Sequence, residues 1–544
     1  MWSLPGLPTE IILEVLTHLP VDSLLMLSRT SHQFNSLCLP YFFSRHNISN
    51  PSDVFNSHPA QGCEGWAASR ECSRSIRNND PLSGLITAFQ IKSVTELNVE
   101  FHECGPKGTS VSRLEPYWKL LRALQRLEHV KELTVGFDHW YLDDQTPLED
   151  ELTMKRKQAI TDLFNTCLEK GCEYFAIQSS ALFLRPALLP KTGLSGFLHS
   201  ALNPHLFRRG PQRAIIPYAP LFDEKEVDFI PLLDSSRKSS KLRSLMISAP
   251  MMLYPPCSYW TYSVLSTPNL TSLTLYQVDF LPLYWEAAFS WLIHPLKNNL
   301  LDFNISYCSE VPVKPFLTFL LNLTALTHLD VILSPVPSRI EDYLPLKRRH
   351  GTKLLRNLVS LKSYSDWLAI LCPRLITRPQ LRYLEVMPRG EFDFGKAIPS
   401  LRRVLTCPPF LPPNRAPDLR VTLSLLYCTY TPVQFKQNLQ VYSDPAHREA
   451  LGAAIYESVT HLALRPHVFA GFVDTPEVIC EFLAWWKHLE CVELYVGEVA
   501  NTWQGTFAGV WTEGQIERLV KEARKRCPLM KTVILNGKEY SICE

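Results

Sequence analysis

Residues whose types could support chemistry are dispersed along this chain of 544 residues. His102, Glu103 and Cys104 form a trio of metal-ligating types, but no second cluster with ligand spacing accompanies them. We therefore interpret the trio as an ordinary loop or strand end. Phosphate-binding, dinucleotide-binding, zinc-protease and nucleophile-elbow motifs are absent from the sequence. The sequence thus predicts no enzyme activity, no catalytic residue, no metal and no cofactor.

Runs of like charge also have ordinary interpretations. Asp143 and Asp144, with the acidic residues at 149–151, are typical of a solvated loop and helix start. Basic residues at 347–350 and 521–526 are typical of helix ends, where cations favour the helix dipole. Lys and Arg number 55 against 53 Asp and Glu, a formal net charge of +2. This balance gives no reason to expect nucleic acid or an anionic membrane as partner.

Targeting and redox features favour an intracellular protein. The start has no basic region followed by a small-residue cleavage site, and no apolar run approaches the ~20 residues of a membrane helix. The 15 cysteines include no C-x-x-C pair. We therefore predict a cytoplasmic or nuclear location, with cysteines that are mostly reduced and buried.

The first forty residues carry a helical pattern. Pro8 suits a first helical position and Glu10 favours the helix dipole. The apolar stripe of this helix comprises Ile11, Ile12, Val15, Leu16 and Leu19. After Pro20, Asp22 is a good cap for a second helix, whose apolar residues are Leu24, Leu25 and Leu27. A third helix after Ser31 places Phe34, Leu37 and Cys38 on one face. Periodicity alone would also fit a helical hairpin that closes some other domain.

The segments LPGLPTEIILEVLTHLP (4–20) and DSLLMLSRTSHQF (22–34) resemble the F-box. In that family a compact helical motif docks on the Skp-type adaptor of a cullin–RING ubiquitin ligase, and the rest of the chain captures the substrate. The resemblance implies adaptor binding by Leu7, Pro8, Glu10, Ile11, Ile12, Val15, Leu16, Leu19, Leu24, Leu25, Leu27 and Phe34. Two departures are Thr30, where the family has an aliphatic residue, and Pro40-Tyr41-Phe42, which replaces a trailing Trp.

From about Pro81 a degenerate L-x-x-L-x-L unit recurs, a pattern typical of leucine-rich repeats. The central residues of the matches are Leu97, Leu133, Phe175 (a weaker match), Leu245, Leu273, Phe303, Leu329, Leu384, Leu462, Val492 and Val533. Steps of 28, 30 and 26 residues lie between those at 245, 273, 303 and 329. Helical stretches between strands include 117–127, 284–294, 477–487 and 515–526.

These patterns predict an α/β chain with three parts. Residues 1–43 are a helical F-box domain, residues 44–80 a connector poor in aliphatic side chains, and residues 81–544 a leucine-rich-repeat-like solenoid. Repeated strand–helix units give parallel strands inside and helices outside, a geometry that curves into an arc. An ordinary doubly wound α/β domain is the alternative, because strands that alternate with helices would serve it equally. Many fungal F-box proteins resemble this combination.

Aromatic residues cluster in loops that follow predicted strands. They are Trp140, Tyr141, Tyr254, Tyr259, Trp260, Trp503, Phe507 and Trp511. Loops that leave parallel strands emerge on one edge, so these residues could form an aromatic rim that binds a target protein. The alternative is that they fold inward, as the four-residue spacing of 503, 507 and 511 also allows.

The main hypothesis is a non-catalytic substrate receptor of an SCF-type ubiquitin ligase. Its F-box would bind the Skp-type adaptor and, through it, cullin, while the repeat array would bind an unidentified target protein. One alternative is a binding scaffold that uses its F-box outside any ligase. Another is an α/β enzyme of unrecognised type. The sequence does not separate these three.

Overall fold

The computed structural model describes twenty segments of the chain. They are 7–57, 81–101, 115–137, 150–179, 231–253, 257–280, 282–333, 355–375, 380–387, 402, 404–405, 419–427, 449, 453–466, 479–480, 483–494, 498–499, 507–508, 512–535 and 537–542. The chain divides into two compact units, Met1–Leu300 with Cys308–Glu310, and Leu301–Tyr307 with Val311–Glu544. Each unit is described by itself.

The first unit begins with three helices and continues with alternating strands and helices. Its helices are α1 (Thr9–His18), α2 (Val21–Ser28), α3 (His32–Arg45), α4 (Pro81–Thr87), α5 (Glu115–Arg126), α6 (Asp150–Glu169), α7 (Asp234–Ser239), α8 (Ser258–Leu265) and α9 (Pro282–Leu296), with a 3₁₀ turn at Pro250–Leu253. Its strands are β1 (Val54–Ser57), β2 (Ser93–Phe101), β3 (His129–Phe137), β4 (Tyr174–Ser179), β5 (Ser244–Ile247) and β6 (Ser272–Tyr276).

The second unit is built in the same way. Its strands are β7 (Asp302–Ser306), β8 (His328–Ile332), β9 (Ser360–Tyr364), β10 (Tyr383–Met387), β11 (Arg420–Tyr427), β12 (His461–Pro466), β13 (Cys491–Leu494), β14 (Glu498–Val499), β15 (Phe507–Ala508), β16 (Thr532–Leu535) and β17 (Lys538–Ser541). Its helices are α10 (Val313–Asn322), α11 (Ser365–Leu375), α12 (Ala453–Ser458) and α13 (Glu513–Arg526).

The predicted repeat register is confirmed in the first unit. Strands β1 to β6 pair in parallel, and the central apolar residues face one another from strand to strand. These residues are buried because alternate side chains of a strand point to one face. They are Phe55, Leu97, Leu133, Phe175, Leu245 and Leu273. Chain neighbours α4 and α5, α5 and α6, and α8 and α9 also pack against each other. The chain therefore has the predicted α/β, solenoid-like fold.

The second unit shifts its register once. Its buried central residues run in register through Phe303, Leu329, Leu361, Leu384 and Val421. From β11 onward the ladder continues from Leu423, which pairs with Leu462, Val492 and Val533 along the next strands. A shift of two residues keeps every side chain on its original face. The apolar core therefore continues through the shift.

Strands β9 and β11 lack a complete L-x-x-L-x-L match in the sequence. In β9 the third apolar position is Ser363, which is buried and donates a hydrogen bond to the Val331 carbonyl at 2.6 Å. In β11 Val421 and Leu423 alternate without the three-residue step that begins each unit.

The last strand, β17, pairs antiparallel with β16, and β14 pairs antiparallel with β15. The array is therefore not parallel throughout.

The predicted connector contains ordered structure. Helix α3 continues to Arg45, and β1 lies within residues 44–80 and pairs in parallel with β2. A strand of four residues with only Val54 and Phe55 as apolar members gives too weak a sequence signal to be recognised. The sheet thus begins before Pro81, where the sequence predicts the repeat domain to start.

Candidate functional site

Helix α1 carries two adjacent apolar stripes that face different surroundings. Ile12 and Leu16 are buried at 1% exposure each. Ile11 and Val15, one position earlier in each turn, are 50% and 40% exposed. Residues four apart lie on one helix face, so each stripe is continuous. The helix therefore packs inward with one stripe and presents the other to solvent.

Helix α2 adds a second exposed apolar side chain. Leu24 and Leu25 are buried, Leu27 is half-buried and Met26 is 62% exposed. Sequence reasoning missed Met26, because a short helix with four consecutive apolar residues does not reveal which one faces solvent. Its exposure, established by the tertiary packing, makes it a further candidate contact.

The predicted adaptor-binding residues thus fall into two groups. One group is buried and packs in the core beneath the helix surface: Ile12, Leu16, Leu24, Leu25 and Phe34. The remaining members are exposed or half-buried: Leu7, Pro8, Glu10, Ile11, Val15, Leu19 and Leu27. We call Ile11, Val15 and Met26 the exposed apolar face. A partner can contact the exposed apolar face directly, but it cannot contact the buried group.

Local hydrogen bonds fix the three helices. The Ser31 hydroxyl accepts a hydrogen bond from the Phe34 amide at 3.2 Å and caps α3, whereas Asp22, the predicted cap of α2, lies inside that helix. Pro8 and Pro20 precede the first residues of α1 and α2, so Pro8 lies one position earlier than predicted. Arg45, at the end of α3, donates to the Thr17 carbonyl of α1 at 2.6 Å. His18 and Glu14 form an exposed ion pair at 3.3 Å, which adds little stability.

Buried Asn35 joins these helices to the first repeat helix. Its Nδ2 donates to the carbonyls of Ser28 at 3.1 Å and Thr87 at 2.9 Å. Its Oδ1 accepts from the Phe89 amide at 3.2 Å. One side chain therefore satisfies backbone groups of α2 and of the segment at the end of α4.

Apolar contacts reinforce this junction. Gly84 of α4 lies so close to α3 that a Cβ there would stand 2.7 Å from Cδ1 of Phe42 and 3.0 Å from Cε1 of Phe43. The Phe43 ring also meets the Phe55 ring of β1 edge to face, with centroids 5.9 Å apart. The three N-terminal helices and the first repeat consequently share one core.

Most of the predicted aromatic rim lies outside the described residues. Trp140, Tyr141, Tyr254, Trp503 and Trp511 belong there, as do His102, Glu103, Cys104, Asp143, Asp144 and residues 347–350. Phe507 lies in β15. Tyr259 is 43% exposed and remains a candidate contact.

Trp260 needs a correction. Its side chain is fully buried, with ring centroids 4.8 Å from Phe164 and 6.0 Å from Phe175. The start of α8 directs this ring into the apolar core, as the inward-folding alternative describes. Trp260 therefore does not contribute a surface contact.

Comparison with known proteins identifies the N-terminal region. A family model described as F-box-like matches residues 4–49, which include all three helices and end before β1. Residues 4–49 are an F-box-like domain. Its exposed apolar face and its junction with the first repeat are the features described above. No curated protein matches the chain.

Two solved structures align with this chain at low identity and low TM-score. One, the crystal structure of the Rad7 and Elc1 complex in yeast, aligns with 12% identity over 80% of this chain and 78% of that chain, with a TM-score of 0.28. Another, the crystal structure of a TLR13–ssRNA13 complex, aligns with 13% identity over 75% of this chain and 40% of that chain, with a TM-score of 0.27. Both TM-scores are too low to assign a partner or an activity.

The described residues outside the F-box-like domain offer no assembled metal site. No group of three or more His, Cys, Asp or Glu side chains is placed to hold a metal ion within the described segments. No helix in those segments is long and apolar enough to cross a membrane. Nine cysteines of the described segments are buried and form no disulfide: Cys38, Cys167, Cys172, Cys257, Cys308, Cys372, Cys480, Cys491 and Cys527. Burial raises the pKa of the Cys38 and Cys527 thiols to about 11 each, so these two thiols stay protonated near neutral pH.

Proposed function

We propose that this chain is a non-catalytic substrate-recognition subunit of an SCF-type cullin–RING ubiquitin ligase. In this proposal the F-box-like domain binds a Skp-type adaptor, the adaptor binds cullin, and the repeat region binds a target protein. The observation that carries the proposal is the exposed apolar face. Ile11, Val15 and Met26 remain exposed, although the same helices bury Ile12, Leu16, Leu24 and Leu25.

The physical argument is that apolar side chains left in solvent gain free energy when a partner covers them, as at interaction surfaces. Each side chain of the exposed apolar face would gain roughly 1 to 2 kcal/mol if a partner covered it, since full burial of an aliphatic side chain contributes about 1.5–3 kcal/mol. Leu7, Pro8, Glu10, Leu19 and Leu27 would surround this centre as a partly exposed rim. The buried group would act indirectly, by holding α1 and α2 in place.

A pull-down with a purified Skp-type adaptor tests the docking half. We expect Ile11→Asp/Val15→Asp to reduce adaptor retention by about tenfold or more, because binding would bury two unpaired carboxylates. The melting temperature should change little, since both side chains face solvent. A matched control is Leu321→Asp/Leu529→Asp, at positions 40% and 49% exposed in the second unit. Equal retention by the α1 variant and the control would contradict the proposal.

Co-purification of cullin tests the ligase half. A receptor that works in a ligase should retain cullin together with the adaptor, and the α1 variant should lose both. Retention of the adaptor without cullin would favour the alternative, a binding scaffold outside the ligase. The readout is the ratio of cullin to adaptor in the purified complex.

A further inference from the structure

The solvent-facing side of strands β7 to β11, within the second unit, carries two rows of polar side chains. These rows alternate along each strand with the buried apolar residues, so they lie on the opposite face of the sheet. The first row is Asp302, His328, Ser360, Tyr383 and Arg420, and the second is Asn304, Asp330, Lys362, Glu385 and Thr422. We call these ten residues the polar sheet face.

Four side chains of the polar sheet face form two pairs, of which the histidine–carboxylate pair is an ion pair only when the histidine is protonated. His328 Nδ1 lies 2.7 Å from Asp302 Oδ1, and Lys362 Nζ lies 3.3 Å from Glu385 Oε1. The second pair is about a quarter exposed on each side. These four groups therefore contact each other. The other two charged residues of the polar sheet face are Asp330 and Arg420.

Asp330 is the first of these charges. It is half-buried between Asn304 and Lys362 of the neighbouring strands, and its carboxylate forms no hydrogen bond or ion pair with the described residues. Burial raises the pKa of its carboxyl; among its neighbours, Lys362 and His328 lower it and Glu385 and Asp302 raise it. A carboxylate that has lost part of its water without gaining donors binds a cationic donor favourably.

Arg420 is the second. Its side chain is exposed and forms no ion pair with the described residues, and it stands beside Tyr383 in the first row. Tyr383, the first residue of β10, is 52% exposed. Arg and Tyr are enriched among the residues that dominate binding energy at protein interfaces. This end of the polar sheet face thus combines an aromatic anchor with a free cation.

The separation of the two charges sets the spacing in an occupant. Asp330 is on β8 and Arg420 is on β11, three strand steps apart. Neighbouring strands lie about 4.8 Å apart, so three steps cover roughly 14 Å, and the step from the second row to the first adds roughly 7 Å along the strands, which makes roughly 16 Å in all. An extended chain advances roughly 3.3–3.6 Å per residue, so about four to five residues span this distance, and a spacing of four keeps both side chains on one face of the extended chain.

We propose that the polar sheet face binds an extended segment of a partner protein whose basic and acidic side chains are about four residues apart. The basic side chain pairs with Asp330 and the acidic one with Arg420, while an apolar side chain between them covers Tyr383. This inference deepens the proposed function, on which it rests, because it assigns a surface and a chemistry to the target-binding half.

Peptide selection on the full chain bound to its adaptor tests the inference. The probe is a phage library of random dodecapeptides. We expect about tenfold enrichment of opposite charges four residues apart, in one fixed order along the peptide. The double variant Asp330→Arg/Arg420→Glu should enrich the reverse order, because the same backbone path then meets exchanged charges. Glu517→Arg/Arg518→Glu, an exchange between two exposed residues of α13, should select the wild-type order.

Single variants keep the test decisive if the double variant fails to fold. Asp330→Asn should remove the preference for a basic residue only, and Arg420→Gln the preference for an acidic residue only. An unchanged order with the exchanged variant, or no enrichment of this spacing with wild-type protein, overturns the inference. Adaptor retention is measured in parallel, so failure of the docking proposal is seen separately.

Discussion

At the scale of single residues, Asp330 has an electrostatic environment that lowers stability in the free protein. Burial removes water from its carboxylate, and no hydrogen bond or ion pair from the described residues replaces that water. Residues retained despite such a cost are often found at binding surfaces. The same feature gives a prediction about pH.

We expect Asp330→Asn to raise the unfolding midpoint at pH 7 relative to wild type. The folded-state pKa lies above the ordinary value of 3.8, so the native protein holds this proton more tightly than the unfolded chain. The resulting stability is fully present below 3.8 and is lost as pH rises through the folded pKa. The difference between variant and wild type should therefore disappear at pH 3.5.

Thermal unfolding followed by circular dichroism at both pH values measures this. Glu517→Gln is the control, because this carboxylate of α13 is exposed and should give a similar midpoint to wild type at each pH. A variant that is less stable than wild type at pH 7 would show that the Asp330 charge contributes favourable interactions, contrary to our account.

At the scale of elements, the packing of α4 on α3 depends on the absence of one side chain. Gly84 is helical, so replacing it with Ala would favour the helix by about 1 kcal/mol in an exposed position. Here the added Cβ would overlap the Phe42 ring, and overpacking in a core costs typically about 1–3 kcal/mol. The steric cost is at least as large as the gain in helix propensity, so we expect no net stabilisation from Gly84→Ala.

We therefore expect Gly84→Ala to lower the free energy of unfolding by up to about 2 kcal/mol, measured by urea denaturation. The matched control is Gly514→Ala in α13, where a Cβ would meet no atom within 4 Å. That variant should be neutral or stabilising by up to about 1 kcal/mol, because only the helix propensity changes. Stabilisation by both substitutions would mean that α3 and α4 can separate at little cost.

At the scale of the whole molecule, the F-box-like domain packs directly against the first repeat. Asn35 bonds to backbone groups near the end of α4, and Phe42 and Phe43 pack on α4 and β1. An adaptor bound to α1 and α2 would thus be held in a fixed relation to the first repeat. For a substrate receptor, this packing would limit rotation of the adaptor relative to the first repeat.

A fragment of residues 1–50 should consequently be much less stable than a fragment of residues 1–101. The shorter one exposes Phe42 and Phe43 and leaves the Asn35 side chain without its partners at Thr87 and Phe89. Each phenylalanine contributes about 1.5–3 kcal/mol when buried, so the loss is several kcal/mol. Thermal melts of both fragments, without adaptor, measure the difference. Equal midpoints would show that the three helices fold independently.

The sequence by itself determined the elements with strong local signals. The Leu-Pro and Ser-x-x-Phe positions predicted three helices, because caps and apolar periodicity act within a few residues. The recurring L-x-x-L-x-L unit predicted β2 to β8, β10, β12, β13 and β16, because apolar and polar residues alternate in the sequence of a half-buried strand. Both signals are local, so a single sequence is enough to read them.

Only the tertiary structure decided which apolar residues face solvent and which strands join the sheet. Ile11 and Ile12 are adjacent and alike in sequence, yet packing buries one and exposes the other. Strands β1 and β9 are recognised by their partners, since Phe55 aligns with Leu97, and Ser363 bonds to the Val331 carbonyl. That Asp330 and Arg420 form no ion pair with the described residues likewise depends on neighbours far away in the chain. Such contacts are properties of the folded sheet and leave no pattern in the order of the residues.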